Sequence, residues 1–195
     1  GVDWGEEAPN SQEDFKKFTF EKDTRAGAIT HPYLLAAFSY YKSTSPIHRG
    51  VFLTRHVLGR ALKPPPMAIE FMDGRFDPSL TMREKVAELT SPDNCMSCHS
   101  IINPLGFSLE MYDAVGRYRE KDNGKPVNAE SLYQTLTGEE VKITGPRDVA
   151  VYATNSEAAK EGFIEQLFHH MIKQPVNAYG RNVMSALEKS FDGTD

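Results

Sequence analysis

Cysteine is scarce in this chain, and long apolar runs are missing from it. The 195 residues include two cysteines, so a structural zinc site, which usually takes four ligands from two separated pairs, lacks its second pair. Every uninterrupted apolar stretch is short, so we expect no transmembrane helix. The first ten residues, GVDWGEEAPN, are acidic and polar and are not typical of a signal peptide.

Long runs of one charge are also missing. The formal net charge is −5 without a run of five like charges, which weighs against nucleic acid as a partner. Hydrophobic residues make up 39% and charged residues 25% of the chain, so we expect a folded globular protein. The length suits one full-sized domain or two small packed modules.

Both cysteines lie in one motif, Cys95-Met96-Ser97-Cys98-His99. Two thiols at this spacing can form thioethers with the two vinyl groups of one porphyrin, and the adjacent imidazole can bind the iron as its fifth ligand. A thioredoxin-like dithiol would need a βαβ setting, which the flanking sequence does not indicate. The motif therefore predicts one covalently attached haem c, with Cys95 and Cys98 as tethers and His99 as iron ligand.

The site of haem attachment bears on location. Attachment to this motif normally takes place outside the cytoplasmic membrane. We therefore expect a periplasmic or otherwise exported protein, of which these residues are a mature or truncated piece. The expected partners are a redox protein or other domains of a larger parent chain, with no nucleic acid and no membrane-spanning segment.

Methionine is missing where many small cytochromes c place their sixth iron ligand. No methionine occurs between Tyr112 and His170, downstream of the motif. Histidine is therefore the expected sixth ligand. His31 is the first candidate, His48 the second and His170 the third, and an open coordination position is the alternative.

Other residues are expected to support the haem. Backbone carbonyls around Asn103 and Pro104 are candidates to accept a hydrogen bond from His99, which would fix its tautomer. The haem propionates need cationic partners, for which we propose Arg25, Arg49 and Arg117.

Capping signals and periodicity predict a mainly α fold. His31-Pro32 and Ser45-Pro46 each place a capping residue before a proline, which is typical of a helix start, so the first block is expected to be an αα-hairpin. We assign residues 1–63 to this helical block, 64–79 to a proline-rich connector and 80–195 to a cytochrome c-like haem module, all packed as one unit.

Within the haem module, a short helix over 81–89 leads to the motif. A tight loop is expected over 101–106 and another helix over 107–115. Turn signals at Asp122-Asn123-Gly124 and Thr137-Gly138 predict two β-hairpins, which form a small β insertion. Further helices are expected from Pro146, over 156–173 and over 177–191.

Several motifs together resemble large planctomycete cytochromes. They are Arg25-Ala26-Gly27-Ala28-Ile29-Thr30-His31, Ser45-Pro46-Ile47-His48-Arg49-Gly50, the cysteine motif, and the segments Asn103-Pro104-Leu105-Gly106-Phe107 and Asp113-Ala114-Val115-Gly116-Arg117-Tyr118. The resemblance covers residues 25–187 and joins two adjoining domains of unknown function. It implies a c-type haem, export and electron transfer within a multidomain parent, and it places His31 and Arg49 on motif positions.

The sequence thus predicts a monohaem electron carrier with bis-histidine ligation. The alternative is an enzyme with five-coordinate haem, in which His48 and Arg49 would serve peroxidase-like or small-molecule chemistry. A third possibility is a structural domain of a larger protein, in which the covalent haem stabilises the fold.

Overall fold

The computed structural model describes residues 19–21, 24–64 and 71–193. Residues 65–70 of the predicted connector and most of residues 1–24 lie outside this part of the chain. The elements in chain order are α1 (Pro32–Ala37), α2 (Pro46–Phe52), α3 (Met82–Leu89), α4 (Asp93–Phe107), β1 (Lys121–Asp122), β2 (Lys125–Pro126), β3 (Ser131–Gln134), β4 (Glu140–Ile143), α5 (Pro146–Thr154), α6 (Glu157–Ile172) and α7 (Val183–Asp192). The predicted fold class, mainly α with a small β insertion, is confirmed.

Both predicted N-caps of the first block are confirmed. The ring Nδ1 of His31 accepts a hydrogen bond from the backbone of Tyr33 at 3.2 Å, and the hydroxyl of Ser45 accepts one from the backbone of His48 at 3.4 Å. Helix α1 ends at Ala37, and Tyr41 lies beyond it with 95% of its surface exposed. Helix α2 continues as a π-helical turn over Leu53–Val57.

The loop and second helix expected after the cysteine motif are wrong. Helix α4 runs without a break from Asp93 through Pro104 to Phe107, and turns follow it. An interior proline costs a helix about 3 kcal/mol. Burial of α4 residues 102–107 offsets this cost, because α2 packs directly against that half of the helix.

Glycine makes the contact between α2 and α4 close. A Cβ on Gly50 would meet the carbonyl oxygen of Ile102, and one on Gly106 would meet the carbonyl oxygen of Pro46. The two helices therefore approach backbone to backbone, with Pro46 beside Gly106 and Gly50 beside Ile102. This antiparallel crossing holds the first block against the helix that carries the cysteine motif.

Both predicted hairpins are confirmed. Asn123 and Gly124 have positive φ angles of 50° and 81° in the turn between β1 and β2, as a tight hairpin turn requires. In the second hairpin, β3 pairs antiparallel with β4, and Tyr133 and Ile143 are buried in the main core with Leu105. Because side chains alternate along a strand, Leu132 and Gln134 lie on the other face of β3.

Two helices, α6 and α7, form the C-terminal part of the described chain. Helix α6 begins after its cap Ser156, as predicted, while the expected final helix is divided into a short turn at Val176–Tyr179 and α7 after Gly180. Some large apolar side chains of α6 lie outside the core, since Phe163 is 50% and Met171 71% exposed. Among the described helices, none has the length and apolar character needed to cross a membrane.

Candidate functional site at His99

The cysteine motif occupies the first two turns of α4. Cys95 precedes Cys98 by three residues and His99 by four, so the three side chains lie on neighbouring positions of one helix face. Both cysteines are free thiols and both are half-buried. The helix begins just before them, and the backbone N–H of Cys95 donates to the carbonyl of Pro92 at 2.8 Å in its first turn.

A chain of hydrogen bonds orients the ring of His99. Its Nδ1 lies 3.0 Å from the side-chain oxygen of Asn103, one helical turn further on. The side-chain nitrogen of Asn103 donates to the hydroxyl of Thr90 at 2.8 Å, and that hydroxyl donates to the carbonyl of Val86 at 2.8 Å. The asparagine therefore turns its oxygen toward His99, so Nδ1 is the donor, and in the neutral ring Nε2 is the nitrogen with the lone pair.

His99 lines a cleft with a volume of about 640 Å³. Ligand sites for small molecules and cofactors commonly fall within roughly 300–1,000 Å³. One wall is the face of α4 that carries Met96, His99, Asn103, Pro104 and Phe107, and α3 adds Ala87 above it. The β3–β4 hairpin forms the facing wall with Ser131, Leu132, Gln134 and Glu140.

One polar atom near this cleft lacks a partner. The hydroxyl oxygen of Ser131 is buried and forms no hydrogen bond with any residue of the described part of the chain. Because side chains alternate along β3, Ser131 lies on the opposite face of the strand from Leu132 and Gln134.

The hydrogen-bond acceptor for the His99 ring is a different atom from the one that the sequence predicts. The acceptor is the side-chain oxygen of Asn103, whereas a backbone carbonyl near Asn103 or Pro104 was expected. Pro104 itself lines the cleft and is buried. The signal was present in the sequence, because Asn103 follows His99 by four residues, but it becomes decisive only when the two residues share one helix.

The three arginines expected to bind propionates do not line the cleft at His99. Arg25 donates to the carbonyl of Thr30 at 2.9 Å and lies over the ring of Tyr112. Arg117 is exposed and pairs with Asp113 at 2.8 Å in a separate cleft of about 620 Å³. The structure thus does not bring Arg25 or Arg117 to His99, and their role as haem contacts stays a prediction.

Arg49 is fully buried and is bonded to the protein itself. Its guanidinium donates to four backbone carbonyls and to the hydroxyl of Ser39, over distances of 2.8–3.2 Å. The carbonyls belong to Leu35, Leu109, Tyr112 and Asp113. These bonds tie the end of α1 to the turns after α4, which is a structural role for Arg49.

The candidate sixth ligands also lie away from the cleft lining. His31 caps α1 and is exposed. His48 is exposed, bonded through Nδ1 to the hydroxyl of Ser45 at 2.8 Å and packed edge-on against Tyr40. His170 is exposed on α6. Of the residues lining the cleft, His99 and Met96 are those with an imidazole or thioether, and both belong to α4.

A buried charge network lies beyond the end of α4. The carboxylate of Glu110 accepts hydrogen bonds from Thr44 at 2.8 Å and from Arg119 at 2.9 Å, with Arg49 at 3.8 Å. Arg119 also pairs with Asp122 at 2.6 Å. Burial raises the pKa of Glu110 to about 7, although both arginines act in the opposite direction.

Comparisons with known proteins complete this description. In the described part of the chain, no group of three or more His, Cys, Asp or Glu residues is arranged to hold a metal ion. No curated protein and no solved structure matches the chain. One family model matches residues 25–122, just over half of the chain, and spans both the first helical block and the cysteine motif. The chain therefore belongs to the PSCyt3 family, which is described as a protein of unknown function (DUF1588).

Proposed function

We propose that this chain is a monohaem c-type cytochrome domain that carries single electrons. The observation that carries the proposal is the hydrogen-bond chain from His99 through Asn103 and Thr90 to Val86. A histidine that ligates a metal almost always donates its other ring N–H to such a partner, which fixes its tautomer and orientation. The chain supplies this arrangement next to two thiols at haem-attachment spacing.

The residues fit a covalently held haem c. Two free thiols lie within one helical turn of His99 on α4, and the cleft beside His99 has a size typical of a cofactor site, although neither thiol is among the residues that line it. Cys95 and Cys98 would tether the haem and His99 would bind its iron, which supplies reversible one-electron chemistry when bound.

The wider context follows from the resemblance to large planctomycete cytochromes. We propose an exported protein whose haem domain exchanges electrons with a redox partner protein or with other domains of a longer parent chain. The family match supports the cytochrome-like character of residues 25–122.

The sixth ligand is part of the proposal and has its own test. His31 is the first candidate and His48 the alternative, and both lie outside the lining of the cleft. Ligation by either residue therefore requires the first block to rearrange when haem binds. A His31→Ala variant with an unchanged low-spin absorption spectrum would rule out His31.

The test of function is haem attachment in a host that matures c-type cytochromes in its periplasm. The wild-type chain is expected to retain one haem after denaturation, seen as a mass increase and a c-type absorption spectrum. Cys95→Ala and Cys98→Ala should each lose one thioether, and the double variant should lose covalent haem. Ser97→Ala, within the motif but chemically irrelevant, is the matched control. A wild-type chain that matures without haem would contradict the proposal.

A second candidate is a five-coordinate haem enzyme. It is favoured by the hairpin wall of the cleft, where Leu132, Gln134 and Glu140 offer no imidazole or thioether to the iron. Glu140 would then be the available acid–base group, because Arg49 is buried in the core and His48 lies outside the cleft. Rapid binding of carbon monoxide to the reduced protein would support the enzyme, and a saturated low-spin iron would support the carrier.

A further inference from the structure

The cleft that contains Arg117 shares no lining residue with the cleft at His99. We call it the second cleft, and its volume of about 620 Å³ lies within the range of roughly 300–1,000 Å³ that is usual for small-molecule sites. It is formed by the turn before α2, the segment that leads into α3, the start of α3, and the turns after α4 with the β1–β2 hairpin. Its side chains come together only in the folded chain.

The lining of the second cleft contains four cationic and three anionic side chains. They are Lys42, Lys85, Arg117 and Arg119, with Asp73, Asp113 and Asp122. Two of the carboxylates are held by the protein itself. Asp113 accepts two backbone N–H groups at 2.9 Å and the Nε of Arg117 at 2.8 Å, and Asp122 accepts a backbone N–H at 2.7 Å and the Nη1 of Arg119 at 2.6 Å.

Lys85 is the buried cation of the second cleft, with 9% of its surface exposed. Its ammonium donates to the third carboxylate, Asp73, at 2.7 Å. An ammonium has three N–H donors, and the other two have no acceptor in the described part of the chain. Because a buried charge is costly unless its donors are bonded, this position favours an acceptor bound in the cleft.

Two further cations of the second cleft keep free donors. Arg117 uses its Nε for Asp113, and within the described ranges its two Nη atoms have no hydrogen-bond partner. Lys42 forms no ion pair with any described residue, and its ammonium lies 5.8 Å from the ring centroid of Tyr41. Arg119, by contrast, binds two carboxylates. Free donors on three separate cations therefore remain at this cleft.

We propose that the second cleft binds a small organic anion that carries two or more carboxylate groups, with Lys42, Lys85 and Arg117 as its cationic contacts. Hydrogen bonds between a cation and a carboxylate are stronger than neutral ones, and three cations can bind more than one carboxylate. The apolar part of the lining suits the carbon skeleton of such a ligand and includes Phe76, Leu80 and Val115. The site is independent of the proposed haem function, since no residue of the cysteine motif lines it.

The test is isothermal titration calorimetry of the purified chain with citrate, at near-neutral pH and at an ionic strength held constant with sodium chloride. The wild type should bind one citrate in a saturable manner, and inorganic phosphate, which lacks a carbon skeleton, should bind more weakly. Lys42→Gln and Arg117→Gln should each weaken citrate binding about tenfold. Lys85→Met should abolish measurable binding.

Lys121→Gln is the matched control, because it removes the same charge from an exposed lysine of β1 that does not line the cleft. Lys42 and Arg117 are also exposed, so their replacement leaves the core intact and the test does not depend on the folding of Lys85→Met.

Four results would overturn the proposal. They are a wild type without saturable citrate binding, equal citrate affinities in the wild type, Lys42→Gln and Arg117→Gln, phosphate binding as tight as citrate binding, and a loss of affinity in Lys121→Gln as large as that in Lys42→Gln. The last result would show that citrate responds to the net charge of the protein and not to this cleft. Haem attachment is measured separately, so either proposal can fail without the other.

Discussion

Asn103 accepts the ring N–H of His99 across 3.0 Å, one turn further along the same helix. The histidine thus presents a defined nitrogen to the cleft before any ligand binds. The asparagine is itself oriented by Thr90, which belongs to the end of the preceding helix. A contact within one helix therefore depends on the packing of a second.

Replacing Asn103 should change the electronic properties of a haem bound to His99. Asn103→Asp supplies a stronger acceptor, makes the imidazole a more basic ligand and should lower the midpoint potential. Asn103→Ala removes the acceptor and should raise it. Optical redox titration measures both, and Ser100→Ala, also in the cleft lining, is the control. Identical midpoints in all four proteins would show that Asn103 does not tune the ligand.

Removing Arg49 should destabilise the fold without altering a haem bound at His99. Arg49→Met deletes five hydrogen bonds and leaves the buried carboxylate of Glu110 with Arg119 and the hydroxyl of Thr44 as partners. The expected loss in free energy of unfolding is about 3–5 kcal/mol, measured by urea titration. Arg117→Met, on an exposed ion pair, should cost about 1 kcal/mol or less. A stable Arg49→Met protein with an altered midpoint would instead indicate a contact between Arg49 and the haem.

Glu110 should make stability depend on pH near neutrality. Its folded-state pKa is raised from 4.5 to about 7, so the folded protein binds this proton more tightly than the unfolded chain does. The resulting stabilisation is complete below about pH 4.5 and is lost as pH rises toward 7. The wild type should therefore lose more stability than Glu110→Gln between about pH 5 and pH 8. Parallel urea midpoints for the two proteins over this range would contradict the raised pKa.

The contact between α2 and α4 should not tolerate a methyl group. Gly106→Ala would force a Cβ into the backbone carbonyl of Pro46, at an expected cost of about 1–3 kcal/mol. Gly74→Ala is the control, because open space surrounds that position, and it should be neutral or slightly stabilising. Thermal unfolding of both variants measures the difference. Equal melting temperatures would show that α2 can shift on α4 at little cost.

Local signals were sufficient for much of this fold. His31-Pro32 and Ser45-Pro46 mark the starts of α1 and α2, and Asn123-Gly124 marks a hairpin turn, because capping and turn conformation depend on a few adjacent residues. Pro104 misled the sequence interpretation for the same reason. Its local effect is to break a helix, and only packing against α2 outweighs that effect.

Residue type was a poorer guide to the surroundings of the motif. The motif around Arg49 indicates a contact with haem, and in the structure its five hydrogen bonds hold distant turns together. Arg83 of α3 had no comparable sequence signal. Its guanidinium lies over the ring of Phe107 and donates to the carbonyls of Asn128 and Glu130, contacts that the packing of α3 creates.

The amino-acid sequence alone is enough to specify the cysteine motif, the caps and the turns, since each depends on residues within one turn of chain. Tertiary packing determines which side chains surround His99. The cleft is formed by α3, α4 and the β3–β4 hairpin, and its lining residues lie up to 53 residues apart in the chain, from Ala87 to Glu140. Hydrophobic burial brings these elements together. Because it is not directional, no short sequence pattern predicts which elements will meet. The continuation of α4 through Pro104 also makes Asn103, rather than a backbone carbonyl, the partner of His99.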